Sequence, residues 1–282
     1  SFLKAARIDA GVAPADAGPG ALAGAIAYET KDARDFLSGN GVGAFAKTQF
    51  NTNGSVFTNS LSGYGRYEGF DFLAYGTIGK GDTYKAGDGQ EVIGTKTDLL
   101  SGLFKLGWEA PSGDRFQISH ERVRDDAIRP FRGNIGFISG RPAWEPRTRR
   151  YEIDRQNTVF TYSRTSAIGL WDPKAVIAYS RTEVDTPIFD RPIGANPPVT
   201  YPGTGITDSF NGKFENRFGF GDFGSVTAGV DFYKDKALYK DRNFRVSEKA
   251  SNLGIYAQAR LKPFERMRLS FGLRGDRQWF TG

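Results

Sequence analysis

The stretch Ser251-Asn252-Leu253-Gly254-Ile255-Tyr256-Ala257-Gln258-Ala259-Arg260-Leu261 alternates residue by residue between an apolar and a polar set. After Lys262-Pro263-Phe264-Glu265 the alternation resumes as Met267, Leu269, Phe271 and Leu273 against Arg266, Arg268, Ser270, Gly272 and Arg274. Period two is the pattern of a strand with two different faces, and two such strands joined by a short Pro-containing turn make a hairpin. Upstream, Phe210, Phe214, Phe218 and Phe220 share one parity. Beyond a Gly-rich turn at 219–224, Val226, Ala228, Val230 and Phe232 share one face.

Extended along the chain, this reading predicts about eleven strands, near 41–51, 54–66, 69–80, 97–110, 114–125, 150–165, 170–182, 206–219, 223–235, 250–262 and 266–280. Each is long enough to cross a bilayer when tilted, since a tilted spanning strand needs only ~9–11 residues. After the first, the connections alternate. Short ones fall near 67–68, 111–113, 166–169, 220–222 and 263–265, and long ones near 81–96, 126–149, 183–205 and 236–249. Outer-membrane barrels sort their loops in this way, with short periplasmic turns and longer extracellular loops. A soluble sandwich has no reason to. The fold class expected is therefore all-β, a transmembrane antiparallel β-barrel.

Composition agrees. The chain of 282 residues has 36 glycines, 23 phenylalanines and 14% aromatics, yet its mean hydropathy is −0.46. No stretch approaches the ~18 apolar residues of a membrane helix, and only every second residue of a barrel strand must be apolar. Trp108, Phe160, Tyr162 and Trp279-Phe280 lie toward strand ends, where interfacial girdles place aromatics. The net charge of +6 and pI of 9.4 come from basic residues interleaved with acidic ones, as in Arg122-Val123-Arg124-Asp125-Asp126, so no nucleic-acid partner is expected. There are no cysteines, which excludes a disulfide scaffold and thiolate metal sites. The chain begins at Ser1, its only methionine is Met267, and no signal peptide is visible in residues 1–30, so it reads as a processed chain or a fragment.

The first 40 residues differ. Gly18-Pro19-Gly20-Ala21-Leu22-Ala23-Gly24-Ala25-Ile26-Ala27-Tyr28-Glu29-Thr30-Lys31 is rich in small residues, suited to tight backbone packing in a buried sheet. Asp32-Ala33-Arg34-Asp35-Phe36-Leu37 reads as a short helix or linker leading into the first long strand.

Here a family resemblance appears. Ala6-Arg7-Ile8-Asp9-Ala10-Gly11, then Gly18-Pro19-Gly20-Ala21-Leu22-Ala23-Gly24 and Glu29-Thr30-Lys31-Asp32-Ala33, resembles the end of the plug domain of TonB-dependent receptors. Ala23 stands where that family usually has the first glycine of a Gly-Gly pair. Tyr256-Ala257-Gln258 followed by Gly272-Leu273-Arg274-Gly275-Asp276 is similar to the family's mid-barrel hairpin. Thr30-Lys31-Asp32-Ala33-Arg34-Asp35-Phe36-Leu37 looks most like the haem and haemoglobin receptor branch. The resemblance implies residues 1–37 as the C-terminal part of a plug domain and 38–282 as the N-terminal half of a barrel of roughly 22 strands. It also implies energised uptake of an iron complex (ferric siderophore or haem) in the cell outer membrane, with the TonB energy-transducing complex, the iron chelate or haem, and outer-membrane lipid as partners. Half a barrel would expose strand edges in hydrocarbon and is not expected to function alone. A passive outer-membrane channel and a soluble extracellular β-rich binding protein remain as alternatives; the first leaves residues 1–37 unexplained.

No catalytic constellation is visible, and the chain is expected not to be an enzyme. His120 is the only histidine, which excludes any triad or multi-histidine metal centre, and no resident cofactor is expected. The Asp125-Asp126 pair and the series Asp82, Asp88, Glu91 read as solvated loop charges, since the spacing of a calcium loop is absent. The candidate ligand-binding residues are Arg141, Trp144, Arg147 and Arg149, in a predicted extracellular loop, where guanidinium groups and an indole suit an anionic iron complex or lipopolysaccharide phosphates. A merely solvated loop is the competing reading. Arg260, Arg268 and Arg274 are expected to line the lumen and face the plug.

Overall fold

A computed structural model describes residues 2–11, 13–19, 24–130, 148–186 and 202–282. It contains two sheets. Strands β1 (Leu3–Ala10) and β2 (Gly24–Thr30) form a small antiparallel pair. The other eleven strands form one antiparallel sheet, each paired with its neighbours in sequence. They are β3 (Gly41–Asn51), β4 (Val56–Tyr67), β5 (Phe70–Gly81), β6 (Thr97–Glu109), β7 (Asp114–Pro130), β8 (Thr148–Arg164), β9 (Pro173–Thr186), β10 (Gly203–Gly219), β11 (Gly224–Lys240), β12 (Arg245–Phe264) and β13 (Met267–Thr281).

Cross-strand register follows the alternation of the sequence. Phe214 stands opposite Val230, which stands opposite Ile255. On this outward parity the apolar residues are exposed, including Phe104, Leu106, Ile118, Phe214, Leu253, Ile255 and Leu273. The opposite parity is polar and partly buried, with Asp71, Lys105, Thr227, Asp231, Asn252 and Gln258 among its most covered members. An apolar exterior around a polar interior inverts the order of a water-soluble protein and is that of a membrane barrel wall. The inward face curls around the N-terminal segment, because residues 15–17 touch β11–β13 while residues 33–35 touch β4 and β5.

At the end of the sheet bearing the short turns, outward aromatics form a chain. Phe70 lies 6.1 Å from Trp108, Trp108 stacks on Phe116 at 5.9 Å, and Phe116 meets Tyr162 at 5.2 Å. Aromatic rings at one height, with Trp108 and Tyr162 supplying the amphipathic ones, are what an interfacial girdle requires. At the other end Trp279 shares the outward parity but Phe280, its neighbour, does not.

Three expectations need correction. The connection expected at 236–249 is only 241–244, because β11 and β12 stay paired up to Lys240 and Arg245. Those strands overrun the bilayer instead of ending at it; Asp241 closes the turn by accepting from the backbone N–H groups of Asn243 and Phe244, each at 2.7 Å. Asp125 and Asp126 lie within β7, where each is held by an arginine, Arg129 and Arg150 respectively. The buried setting read from the small residues of 18–31 is not found among the described residues: Ile8, Ile26 and Tyr28, on one face of the β1–β2 pair, are all more than half exposed. No layer among the described residues covers that face. Residues 32–37 do form the short turn expected, a 3-10 helix at Ala33–Asp35.

Candidate functional site: the inner wall and the segment docked on it

The inner wall holds the N-terminal segment at two places. The first begins with a capping box. The Asp32 carboxylate accepts from the Arg34 backbone N–H, and the Asp35 carboxylate accepts from that of Asp32, both at 2.9 Å. Reciprocal caps of this kind satisfy donors that a helix start leaves open. The turn aims Arg34 at the wall, where its Nε donates to Asp71 at 3.0 Å and a terminal nitrogen donates to Glu109. Asp71, only 2% exposed, also receives both terminal nitrogens of Arg115 at 2.6 and 3.0 Å. One carboxylate on β5 is thus shared by a guanidinium from the segment and one from β7. Gly107 makes the room, since a Cβ there would come within 2.9 Å of both the Asp71 and Arg115 side chains.

Around this charge cluster, Lys105 Nζ donates to the Thr30 carbonyl at 2.8 Å and Arg66 to the Leu37 carbonyl at 2.6 Å. Phe2 and Phe36 pack on Phe45, Tyr64 and Tyr75 beside buried Leu73 and Leu103. Lys4 bridges Glu29 and Asp35 at 3.0 Å each. Burial pushes the Asp35 carboxyl up, but its bond from the Asp32 N–H and its pairing with Lys4 prevail and hold it below the usual carboxylate range.

The second place lies across the lumen. The 3-10 turn Ala15–Ala17 presents Asp16 to Arg260, whose two terminal nitrogens bind its oxygens at 2.7 and 2.8 Å. Gln258 Oε1 accepts from the Ala15 N–H at 2.9 Å, and Arg274 reaches the Ala15 carbonyl at 3.3 Å. Gly272 lets the turn approach, since a Cβ there would lie 2.9 Å from that of Ala15. Arg274 is itself held by Asp231 at 2.6 and 2.7 Å and by Asp276 at 2.6 Å. For Asp16, burial raises the carboxyl, but the Arg260 hydrogen bonds and charge outweigh it and hold it low.

Of the three arginines expected to face the segment, the structure brings Arg260 and Arg274 to it; Arg268 is exposed and takes no part in this network. Arg141, Trp144 and Arg147 lie outside the described residues. Arg149 lies on β8, opposite Arg129 of β7, on the inward parity at the end carrying the long connections. It is a strand residue, not a loop residue. His120 shares the outward parity of Phe116 and Ile118, and its Nδ1 is 2.9 Å from the Thr158 hydroxyl. Sequence reasoning missed Asp71, Arg115 and Asp16; only the inward parity of the first two was readable in advance.

These features place the chain among known proteins. The family model described as TonB dependent receptor-like, beta-barrel matches residues 97–282. The heme transporter BhuA of Brucella ovis is 35% identical over an alignment of 291 residues, covering 100% of this chain and 41% of the relative. TonB-dependent heme receptor A of Haemophilus influenzae (strain 86-028NP) is 24% identical over 272 residues, covering 86% of this chain and 36% of the relative. Among solved structures, the FrpB iron transporter of Neisseria meningitidis superposes with a TM-score of 0.84 at 20% identity, over 99% of this chain and 47% of that one. The hemophore receptor HasR of Serratia marcescens, in complex with HasA and heme, superposes with a TM-score of 0.73 at 21% identity, over 98% and 40%. The structural likenesses establish the fold, and the chain spans about two fifths of the length of the curated relatives it matches. By its strand register, its inverted faces and the family match over most of its length, the chain belongs to the TonB-dependent receptor β-barrel family.

Proposed function

We propose that this chain is part of an outer-membrane receptor that imports an iron complex, with haem as the substrate, using energy delivered through TonB. Residues 1–37 act as the end of the plug, and 38–282 as the first part of the barrel wall. The observation that carries the reading is the alignment of this whole chain, at 35% identity, with about two fifths of a heme transporter. The docked segment supports it, because a passive channel has no use for a wall built to grip material in its lumen. No covalent chemistry is required of the chain. The wall holds the segment by hydrogen bonds and ion pairs that a pull can break and thermal motion can remake.

Ligand capture is assigned to Arg141, Trp144, Arg147 and Arg149. Arg149, on the inward parity at the extracellular end, suits a carboxylate-bearing ligand entering the mouth, since guanidinium pairs with carboxylates in a planar, two-bond geometry.

The test is growth of an iron-starved strain lacking its own haem receptor and complemented with the full-length receptor containing this chain. Haem restores growth only when the TonB complex is intact, and Arg149→Ala raises the haem concentration giving half-maximal uptake. Uptake that persists without TonB returns the passive-channel reading. Rescue by a ferric siderophore but not by haem removes the substrate assignment while leaving the transporter standing.

A further inference from the structure

The outward face of β7–β9 departs from that of the strands on either side. A rise of ~3.3 Å per residue and a tilt near 40° give about 2.5 Å of height per residue above the short turns. On β5 and β6 the outward parity stays free of charge up to Ile78 and Leu100, and on β10–β12 up to Phe210, Phe232 and Leu253. Those residues stand about 20–28 Å above their turns, close to the ~25 Å of an outer-membrane apolar band. On β7, β8 and β9 the aliphatic and phenyl residues stop at Ile118, Phe160 and Ile177, about 10 Å up. Above them come His120 and Tyr179 at about 15 Å, Arg122 and Arg181 at about 20 Å, and Arg124 and Glu183 at about 25 Å. A polar notch therefore cuts into the band on three strands.

Ionisable groups facing hydrocarbon are costly, and their presence marks a function. Pairing within the wall softens the cost. Arg122 is held by Asp154, Arg181 by Glu183 and Asp208, and His120 meets Thr158. The Arg124 side chain remains 60% exposed and reaches Asp154 at 3.6 Å. A thinner bilayer around the whole barrel does not account for the notch, because the flanking strands keep their apolar residues to full height. The notch calls for a cover of its own width, polar in its upper part and apolar below, where Phe116, Ile118, Phe160 and Ile177 are exposed.

We propose that the cover is a second copy of the same receptor, packed through β7–β9 about a two-fold axis normal to the membrane. Such an axis, passing beside β8, sets β7 of one copy against β9 of the other at equal heights. Arg124 then faces Glu183 of the second copy, and His120 faces its Tyr179, each contact being made twice. Arg122 and Arg181 meet at the height between, each already held by carboxylates of its own wall. The apolar residues below pack on their counterparts. Three strands at ~4.8 Å spacing, each ~50 Å long, offer roughly 750 Å² per copy, the size of a standard specific interface. Complementary charge at matched heights within one patch favours self-association over an unrelated partner. The contact is independent of the haem assignment and requires the outer-membrane setting alone.

The test uses the full-length receptor in native outer membranes, with one cysteine introduced at a time and oxidised with copper phenanthroline. Gln156→Cys lies on β8 beside the axis, so it is expected to give a reductant-sensitive dimer on gels. Leu100→Cys on β6 and Phe210→Cys on β10, outward at similar height, give about tenfold less, because neither meets its own copy across the axis. Charge reversal supplies a second readout on the Gln156→Cys background. Arg124→Glu alone and Glu183→Arg alone each lower the dimer yield severalfold, and the two together restore it. Heat-dependent gel mobility reports that each variant retains its barrel. Equal yields from all three cysteines mean random collision and overturn the interface, as does a Gln156→Cys variant that stays monomeric. A cross-linked band of another mass means that a different protein fills the notch, and overturns the second copy. Reversals that fail to compensate overturn the two-fold pairing of β7 with β9.

Discussion

The two places where the wall grips the N-terminal segment are built to different strengths. At the first, Asp71 is nearly inaccessible, is shared by Arg34 and Arg115, and sits beside the aromatic cluster of Phe2, Phe36, Phe45 and Tyr75. At the second, Asp16 and Arg260 meet at a partly exposed surface, Arg260 being 35% exposed, away from that cluster, and the ring contact beside them is a single one, Arg274 over Tyr256 at 5.6 Å. A buried, doubly paired carboxylate is costly to orphan, whereas a water-accessible ion pair contributes little net stability. The difference makes the first place the firmer hold, a hinge next to the barrel wall, and the second the more easily released contact.

Breaking the hinge gives the largest effect expected. Asp71→Ala leaves Arg34 and Arg115 facing each other without their shared anion, and the loss is about 3–5 kcal/mol by the usual cost of orphaning a buried charge. Denaturant unfolding of the full receptor in detergent measures it, and a loss under 1 kcal/mol, set against that expectation, would make the two contacts equivalent. Leu73→Ala, a fully buried leucine in the same cluster, costs about 2–4 kcal/mol.

The releasable contact calls for a different readout. Arg260→Gln changes global stability by less than about 1 kcal/mol. Hydrogen exchange at the Ala15 amide, which donates to Gln258, nevertheless rises clearly while exchange in 32–37 does not. Similar protection at both places after the substitution would mean that the segment moves as one body. Acid sharpens the same point. The Asp16 and Asp35 carboxyls are held below their unfolded value of ~3.9, so their contribution is complete above that value and is lost as pH falls through the lower folded value. Exchange at residues 15–17 is therefore flat from neutral pH to about 4, apart from its intrinsic pH dependence, and rises below it. The smallest effect belongs to His120, outward-facing and bonded to Thr158, whose replacement by alanine leaves both contacts and stability unchanged within about 0.5 kcal/mol.

Much of this was legible without coordinates. The alternation of 251–274 set strand, face and register together, because a shift by one residue would send every apolar side chain to the wrong side of the wall. The short turns could be placed because Gly and Pro punctuate them. The overrun of β11 and β12 could not, because Lys, Ser and Glu in alternation look alike in a loop and in a strand that has left the bilayer. The Asp125 and Asp126 charges were misplaced for the same reason.

Strand identity, the inverted faces and the all-β class are properties of neighbours one and two residues apart, and the amino-acid order by itself determines them. Which charges meet is another matter. Asp16 reaches Arg260 from 244 positions away, and Arg34 reaches Asp71 and Glu109 only because the sheet curls back upon its own beginning. The opposed pairs Lys236–Lys249 and Lys240–Arg245 likewise exist only once register is set across a turn. Such pairings depend on distance in space, which alternation along the chain does not encode; the curl of the wall around the segment decides them.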